Sequence, residues 1–484
     1  MLSTLPNEIL IQIAASLDLQ HDKLNLARCN RQFYDLLLPE AYKSLHLSYD
    51  CKWALSCLAH ALIRKPRLAI SVRSLCLVDK PCNHRAKLRF NRSLISSRLP
   101  RIAATKEEIK SWENTLQGKS LEEGDMHFGQ AEAWRTFLSI LVPKLESLHQ
   151  EWGVNTDLRN QAMQRISLRQ KPFDTHRPLS CLREVNISIA ETEFGVDLFD
   201  ILPFFRLPSM RRVTCLFVMD LQEEDDNSSD KSSGVESDAF PVTDIALYWS
   251  HSQSVFKKLI RGCAKLESFV YESGYLEAME HLTPVIKHDA LYQELRKHKG
   301  TLNVLEVYEN DPFSLDHNDP TLVCSFGPMR DFSALTRLRL DTRGLLGDMS
   351  GSLVDILPPR LASLTIDAFN RCPNIVKFAG QVEDILQGRK VSGSAGSMRF
   401  ANWACLHVRG CFTDEKKWDA YYKGKTANIL LKHLVPAASL LDRVCTDGRL
   451  TFTMWCDGLN FAEGDWVPRH CYRFPGLFTQ FPVN

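Results

Sequence analysis

The sequence predicts an α/β chain in which three short helices at the N-terminus lead into an array of helix–strand units around one curved parallel sheet. Three observations predict this. Helical apolar spacing comes first, over residues 5–37. A pattern Φ-x-x-Φ-x-Φ, with Φ aliphatic, then recurs along the chain, mostly behind an amphipathic stretch. The connections between copies vary widely in length, and none carries a phosphate-binding glycine turn.

Taken in order, Pro6 suits a helix start, where a missing N–H costs nothing, and Glu8 favours the positive N-terminal end. Leu5, Ile9, Ile13 and Leu17 form an i, i+4 row, which Leu10 and Ala14 widen to a broad face. Asp18 to His21 ends this helix, and Asp22 is a cap for the next, which carries Leu24, Leu26 and Ala27. Asn30 caps a third, carrying Phe33, Leu36 and Leu37 until Pro39 stops it. Helices this short bury too little to stand alone, so their apolar surface needs a partner or the following chain.

The run Leu5-Pro6-x-Glu8-Ile9-Leu10-x-x-Ile13-x-x-x-Leu17-Asp18, followed by Asp22-x-x-x-Leu26-x-x-Cys29-x-x-x-Phe33, resembles an F-box. Phe33 stands where many members carry Trp, a conservative change. The resemblance implies docking onto the Skp-type adaptor of a cullin–RING ubiquitin ligase, through Leu5, Pro6, Ile9, Leu10, Ile13, Leu17, Leu26 and Phe33. Sequence does not divide these between adaptor contact and internal packing. The plainer alternative is a helical cap on a larger domain.

From Ala41 the period changes. Strands are expected at 42–47 and 72–77, with a helix at 54–63 between them. Residues 79–125 are polar and basic with one helix at 106–116, and are taken as an insertion or a long irregular unit. The pattern then returns at Leu145, Leu182, Met210, Leu266, Leu302, Leu335 and Leu361, with weaker copies at Trp403 and Leu441. Helices are expected at 134–141, 255–263 and 291–298. The first Φ anchors the turn into a strand, and the next two point to one side of it, under the preceding helix. Each unit is incomplete until neighbours stack on it.

Copies lie about 26 to 56 residues apart, bracketing the leucine-rich-repeat range and exceeding it where insertions sit. The plan resembles fungal-type F-box proteins with irregular leucine-rich repeats, and His298-Lys299-Gly300-Thr301-Leu302 and Leu357-Pro358-Pro359-Arg360-Leu361 look like phrases of that group. It implies residues 1–47 as the docking module and 48–484 as the array. The array is expected to hold an acidic, disordered insertion near 222–239, a flexible Gly/Ser loop near 388–398 and an aromatic-rich C-terminal cap. An ordinary α/β domain with leucine-bearing strands is the competing plan.

Composition excludes other classes. The 484 residues are 44% apolar and 24% charged, with net charge +1, which gives no field to draw in nucleic acid or an anionic membrane. No run approaches the length of a membrane span. The fifteen cysteines are scattered, and the first residues lack the basic and apolar regions of a signal peptide. Reduced, mostly buried thiols in a cytoplasmic or nuclear protein are expected.

Candidate chemistry is sparse. Cys76, Cys82 and His84, and Cys405, His407 and Cys411, lie close in sequence without paired C-x-x-C spacing, so no metal or other cofactor is expected. There is no G-x-S-x-G, no H-E-x-x-H and no phosphate loop, and the chain is expected not to be an enzyme. Arg64-Lys65-Pro66-Arg67 is a short basic run that fits a solvated turn better than an import signal. The C-terminal aromatics, from Trp418 to Phe481, fit closure of the array end, with a recognition surface as the alternative. Arg337, Arg339 and Glu306, between Φ positions, are expected to face solvent. The expected function is a substrate receptor of a Skp–cullin–F-box ligase; a ligase-independent scaffold with the same parts is the alternative.

Overall fold

A computed structural model describes residues 5–17, 19–47, 52–78, 90–119, 126–152, 157–189, 195–219, 239–250, 254–274, 288–309, 326–346, 351–367, 375–391, 399–410 and 434–456. The chain divides into two compact units, Met1–Leu266 with Leu276–Thr283, and Glu267–Tyr275 with Pro284–Asn484. Both are α/β, and each is built on parallel strands paired in chain order.

The first unit opens with α1 (Asn7–Ser16), α2 (Gln20–Arg28) and α3 (Arg31–Ala41). Asn30 caps α3, its side chain accepting from the Phe33 N–H at 2.8 Å. Asp22 does not cap α2: it lies inside the first turn, and Leu19 occupies the cap position without a side-chain bond. Pro39 does not stop α3, which runs to Ala41, because a proline in the last turn forfeits little of the helix beyond it.

Strands β1 (Ser44–Leu47), β2 (Ser74–Leu77), β3 (Ser147–Trp152) and β4 (Glu184–Ile189) follow, each paired parallel to the one before. The two-residue strands β5 (Val196–Asp197) and β7 (Val218–Met219) pair with each other. Between them β6 (Arg212–Leu216) continues the main ladder to β8 (Asp244–Ser250). Helices α4 (Lys52–Arg64) and α5 (Pro66–Ser71) lie between β1 and β2. Residues 90–119, from the stretch expected as an insertion or a long irregular unit, are a packed part of this unit: α6 (Arg92–Ser96) and α7 (Lys106–Gln117) bury Ile95, Trp112 and Leu116. A capping box of Thr105 and Glu108 starts α7, and Gly118 ends it at a φ of 73° that a side chain would oppose. Next come α8 (Met126–Leu141), α9 (Asp157–Ser167), α10 (Leu198–Phe205) and α11 (Ser254–Gly262).

The second unit repeats the plan with β9 (Ser268–Ser273), β10 (Val304–Glu309), β11 (Arg337–Asp341), β12 (Ser363–Asp367), β13 (Cys405–Gly410) and β14 (Thr451–Cys456). Each pairs parallel with the next. Its helices are α12 (His288–Leu295), α13 (Thr342–Leu346), α14 (Leu353–Ile356), α15 (Ile375–Val391) and α16 (Leu434–Asp447). Residues 388–391 close α15 and are not loop. The copy expected at Leu441 is α16, since Leu441, Val444 and Cys445 keep i, i+3, i+4 spacing, and the strand there is β14.

The Φ pattern accounts for the ladders. Leu75, Leu148, Val185, Val213 and Ile245 stand in one cross-strand row, and Phe269, Leu305, Leu338, Leu364, Leu406 and Phe452 in another. From Leu75 to Leu406 these are at most 1% exposed, each contributing about 1.5–3 kcal/mol by burial. Entry turns repeat too. The Arg73 carbonyl accepts from the Glu146 and Ser147 N–H groups, that of Glu146 from Arg183 and Glu184, and that of Arg183 from Arg211 and Arg212. In the second unit the carbonyls of Glu267, Asn303, Thr336 and Ala362 do the same for the strand that follows. One carbonyl thus satisfies two donors at the start of each of these strands, which locks the register in which the Φ rows align.

Candidate docking surface

The helical periodicity of residues 5–37 decides which apolar side chains face inward. Leu10, Ala14, Ala27, Phe33 and Leu37 form the core of α1–α3, each at most 3% exposed, with Leu5, Leu26 and Leu36 packed against it while partly buried. The inward line of α1 runs through Leu10 and Ala14, so the row Leu5, Ile9, Ile13, Leu17 is not the most buried one. Of the eight residues singled out in sequence, Leu10 and Phe33 are internal, and Leu5, Ile13, Leu17 and Leu26 are half-buried. Pro6 is exposed and Ile9 is 40% exposed. Pro6 and Ile9, with half-buried Ile13, at i, i+3 and i+7, therefore leave a partly uncovered apolar strip from the cap of α1 along its first turns.

Hydrogen bonds close α2 onto the end of α3 and tie the chain after α3 to the start of β2. Gln20 donates to the Ala41 carbonyl at 3.2 Å, and the Lys43 carbonyl accepts from the Arg73 and Ser74 N–H groups at 2.8 and 3.0 Å. Lys65, from the basic run, donates to the Tyr34 hydroxyl at 2.7 Å, and that hydrogen bond raises its pKa. The run thus marks the junction of α4 and α5 against α3.

Polar side chains collect at two further places. Beneath α8–α10 of the first unit, Glu132 is 2% exposed and accepts from Arg159 and Gln150, both at 2.9 Å, and from Arg135 at 3.3 Å. Arg159 lies 3.5 Å over the Trp152 ring and 3.6 Å from Asp200. Burial is the largest influence on both of its ends, lowering the pKa of Arg159 and raising that of Asp200. Gln150 occupies the third Φ position of β3, and this network is what makes a polar group tolerable there.

In the second unit, Glu306, Arg339 and Thr365 stand in register between the buried Φ residues. Arg339 does not reach into solvent as expected: its side chain is 15% exposed and forks onto Asp367 at 2.6 and 3.0 Å. It also lies 3.3 Å over the Tyr308 ring, whose hydroxyl donates to Glu272 at 3.0 Å. Burial opposes its charge, but Asp367, then Tyr308 and Glu306, outweigh that and raise its pKa. Sequence reasoning missed this pairing because Arg339 and Asp367 meet only through the β11–β12 register. Arg337 is exposed.

Among the described residues no group of His, Cys, Asp or Glu could hold a metal ion, and no helix is long and apolar enough to cross a membrane. Burial pushes the thiols of Cys76, Cys263 and Cys445 up to about 12, so these stay protonated and inert at neutral pH. Cys82, His84 and Cys411, the acidic stretch 223–238, residues 392–398 of the Gly/Ser loop and the aromatics Trp418 and Phe461–Phe481 lie outside the described residues. No protein-family model matches the sequence, and no curated protein matches it significantly.

Proposed function

We propose that the chain is a substrate-recognition subunit of a Skp–cullin–F-box ubiquitin ligase, docking a Skp-type adaptor through α1–α3 and presenting a protein substrate on a leucine-rich-repeat-like array. One observation carries the reading. The three helices own a small closed core, yet Pro6, Ile9 and half of Ile13 stay outside it, in the stretch that resembles an F-box. A mere cap would turn such groups inward, since each apolar side chain left out forgoes about 1.5–3 kcal/mol. The in-register Φ rows and the repeated entry turns support the array half of the reading.

The mechanism is positioning. The hydrogen bonds from Lys65 to Tyr34 and from the start of β2 to Lys43 tie α3 and the residues that follow it to the first helix–strand unit without a loose tether. A substrate held on such a frame is brought near a ubiquitin-charged enzyme at raised effective concentration, with no chemistry from this chain. Replacing Leu5→Ala and Pro6→Ala together should abolish co-purification with the adaptor while the strands stay folded. Retention of the adaptor would refute the docking role. Adaptor capture without cullin and RING subunits would favour the scaffold alternative.

A further inference from the structure

We propose that the entry edge of β10–β13 holds a binding site for a phosphate monoester, built by Arg360 and Arg399. Both line a cavity of about 570 Å³ together with Gly300, Ser333 and Asn402, contributed by the turns before four consecutive strands. Among the described residues no acidic one lines it. Several buried or half-buried arginines among the described residues are matched to carboxylates, as Arg339 is to Asp367 and Arg159 to Glu132. Arg360 is exposed and has no hydrogen-bond or ion-pair partner among the described residues, and Arg399 donates only to the Val354 carbonyl.

Two arginines in one lining, with no carboxylate among the described lining residues, favour a dianion there. Guanidinium forks match phosphate oxygens in pairs, and the Ser333 hydroxyl and Asn402 amide add neutral donors. The walls are fixed beforehand: the Phe400 N–H donates to the Pro359 carbonyl at 2.9 Å, joining the segments that carry the two arginines. Phe400 itself is 3% exposed and lies against Trp403, so Arg399 projects from a buried anchor. The volume, typical of small-molecule sites and several times that of a phosphate group, leaves room for the body that bears the phosphate.

The test uses the full chain, titrated with inorganic phosphate, a phosphoserine peptide and a pentose phosphate by calorimetry at low salt. Saturable phosphate binding is expected. Arg360→Ala, which removes no bond of the fold, should weaken it roughly ten- to hundred-fold, and Arg399→Lys should also weaken it by losing the fork. Lys144→Ala, an exposed cation of the other unit, should change nothing. The tighter of the two organic phosphates identifies the body the cavity takes. Absence of binding for all three, equal binding by Arg360→Ala, or no gain of either organic phosphate over inorganic phosphate would overturn the proposal. It stands apart from the docking reading, because Arg360→Ala should keep the adaptor.

Discussion

Removing Glu132 should cost more than removing any single charge at the surface. Its carboxylate, 2% exposed, takes hydrogen bonds from Arg159 and Gln150 at 2.9 Å and faces Arg135 at 3.3 Å. In Glu132→Ala the two guanidinium groups stay buried. Arg159 keeps Asp200 at 3.6 Å and Arg135 keeps the Glu151 carbonyl at 2.9 Å, so neither is wholly stranded. Breaking a buried pair on one side costs about 3–5 kcal/mol, against a total stability of roughly 5–15 kcal/mol for a domain. The remaining partners place the expected loss near the lower end, about 3 kcal/mol. Urea unfolding followed by tryptophan fluorescence reads it, since Trp134 and Trp152 sit on the elements concerned. Glu132→Leu with Arg159→Met removes both charges and should recover part of the loss. An unfolding free energy within about 0.5 kcal/mol of the parent for Glu132→Ala would refute the reasoning.

The partition of α1–α3 into core and surface gives a second test: Leu10→Ala and Phe33→Ala, both in the closed core, should each destabilise α1–α3 by about 2–5 kcal/mol, read as faster amide exchange confined to residues 5–41. A third concerns acid. The forked hydrogen bonds of Arg165, at 2.6 and 2.7 Å, hold the Glu108 carboxyl down at about 2 from an ordinary 4.5. A depressed carboxylate stabilises the fold above its unfolded pKa, and that share is lost as pH falls from 4.5 through 2. With both side chains about a quarter exposed, the share is about 1 kcal/mol, and Glu108→Gln should remove this slope from stability measured against pH.

The strands were the legible part of the chain, because a Φ-x-x-Φ-x-Φ copy needs only local spacing to be recognised, and strands lie where Leu182, Met210, Leu266, Leu302, Leu335 and Leu361 announce them. Strand β8 was overlooked: Val242, just before it, and Ile245 and Leu247 within it carry the same pattern, beside the acidic stretch that drew the reading towards loop. The copy at Leu441 was misread because leucines three and four apart serve a helix as well as a turn into a strand. For α1–α3, spacing located an apolar face but not its centre. Ile9 and Leu10 are adjacent, and only the packing of Phe33 and Leu37 against α1 decides which of them turns inward. The polar networks were the least legible, since Glu132 meets Arg159 and Arg339 meets Asp367 across 27 and 28 residues of sequence.

The most direct test of the docking account is the affinity of the full chain for a purified Skp-type adaptor after Ile9→Asp. This side chain lies outside the closed core, so unfolding curves should match the parent while adaptor binding falls at least about a hundred-fold, as for a central apolar anchor. Undiminished binding by a folded Ile9→Asp chain would contradict the claim that α1 docks the adaptor.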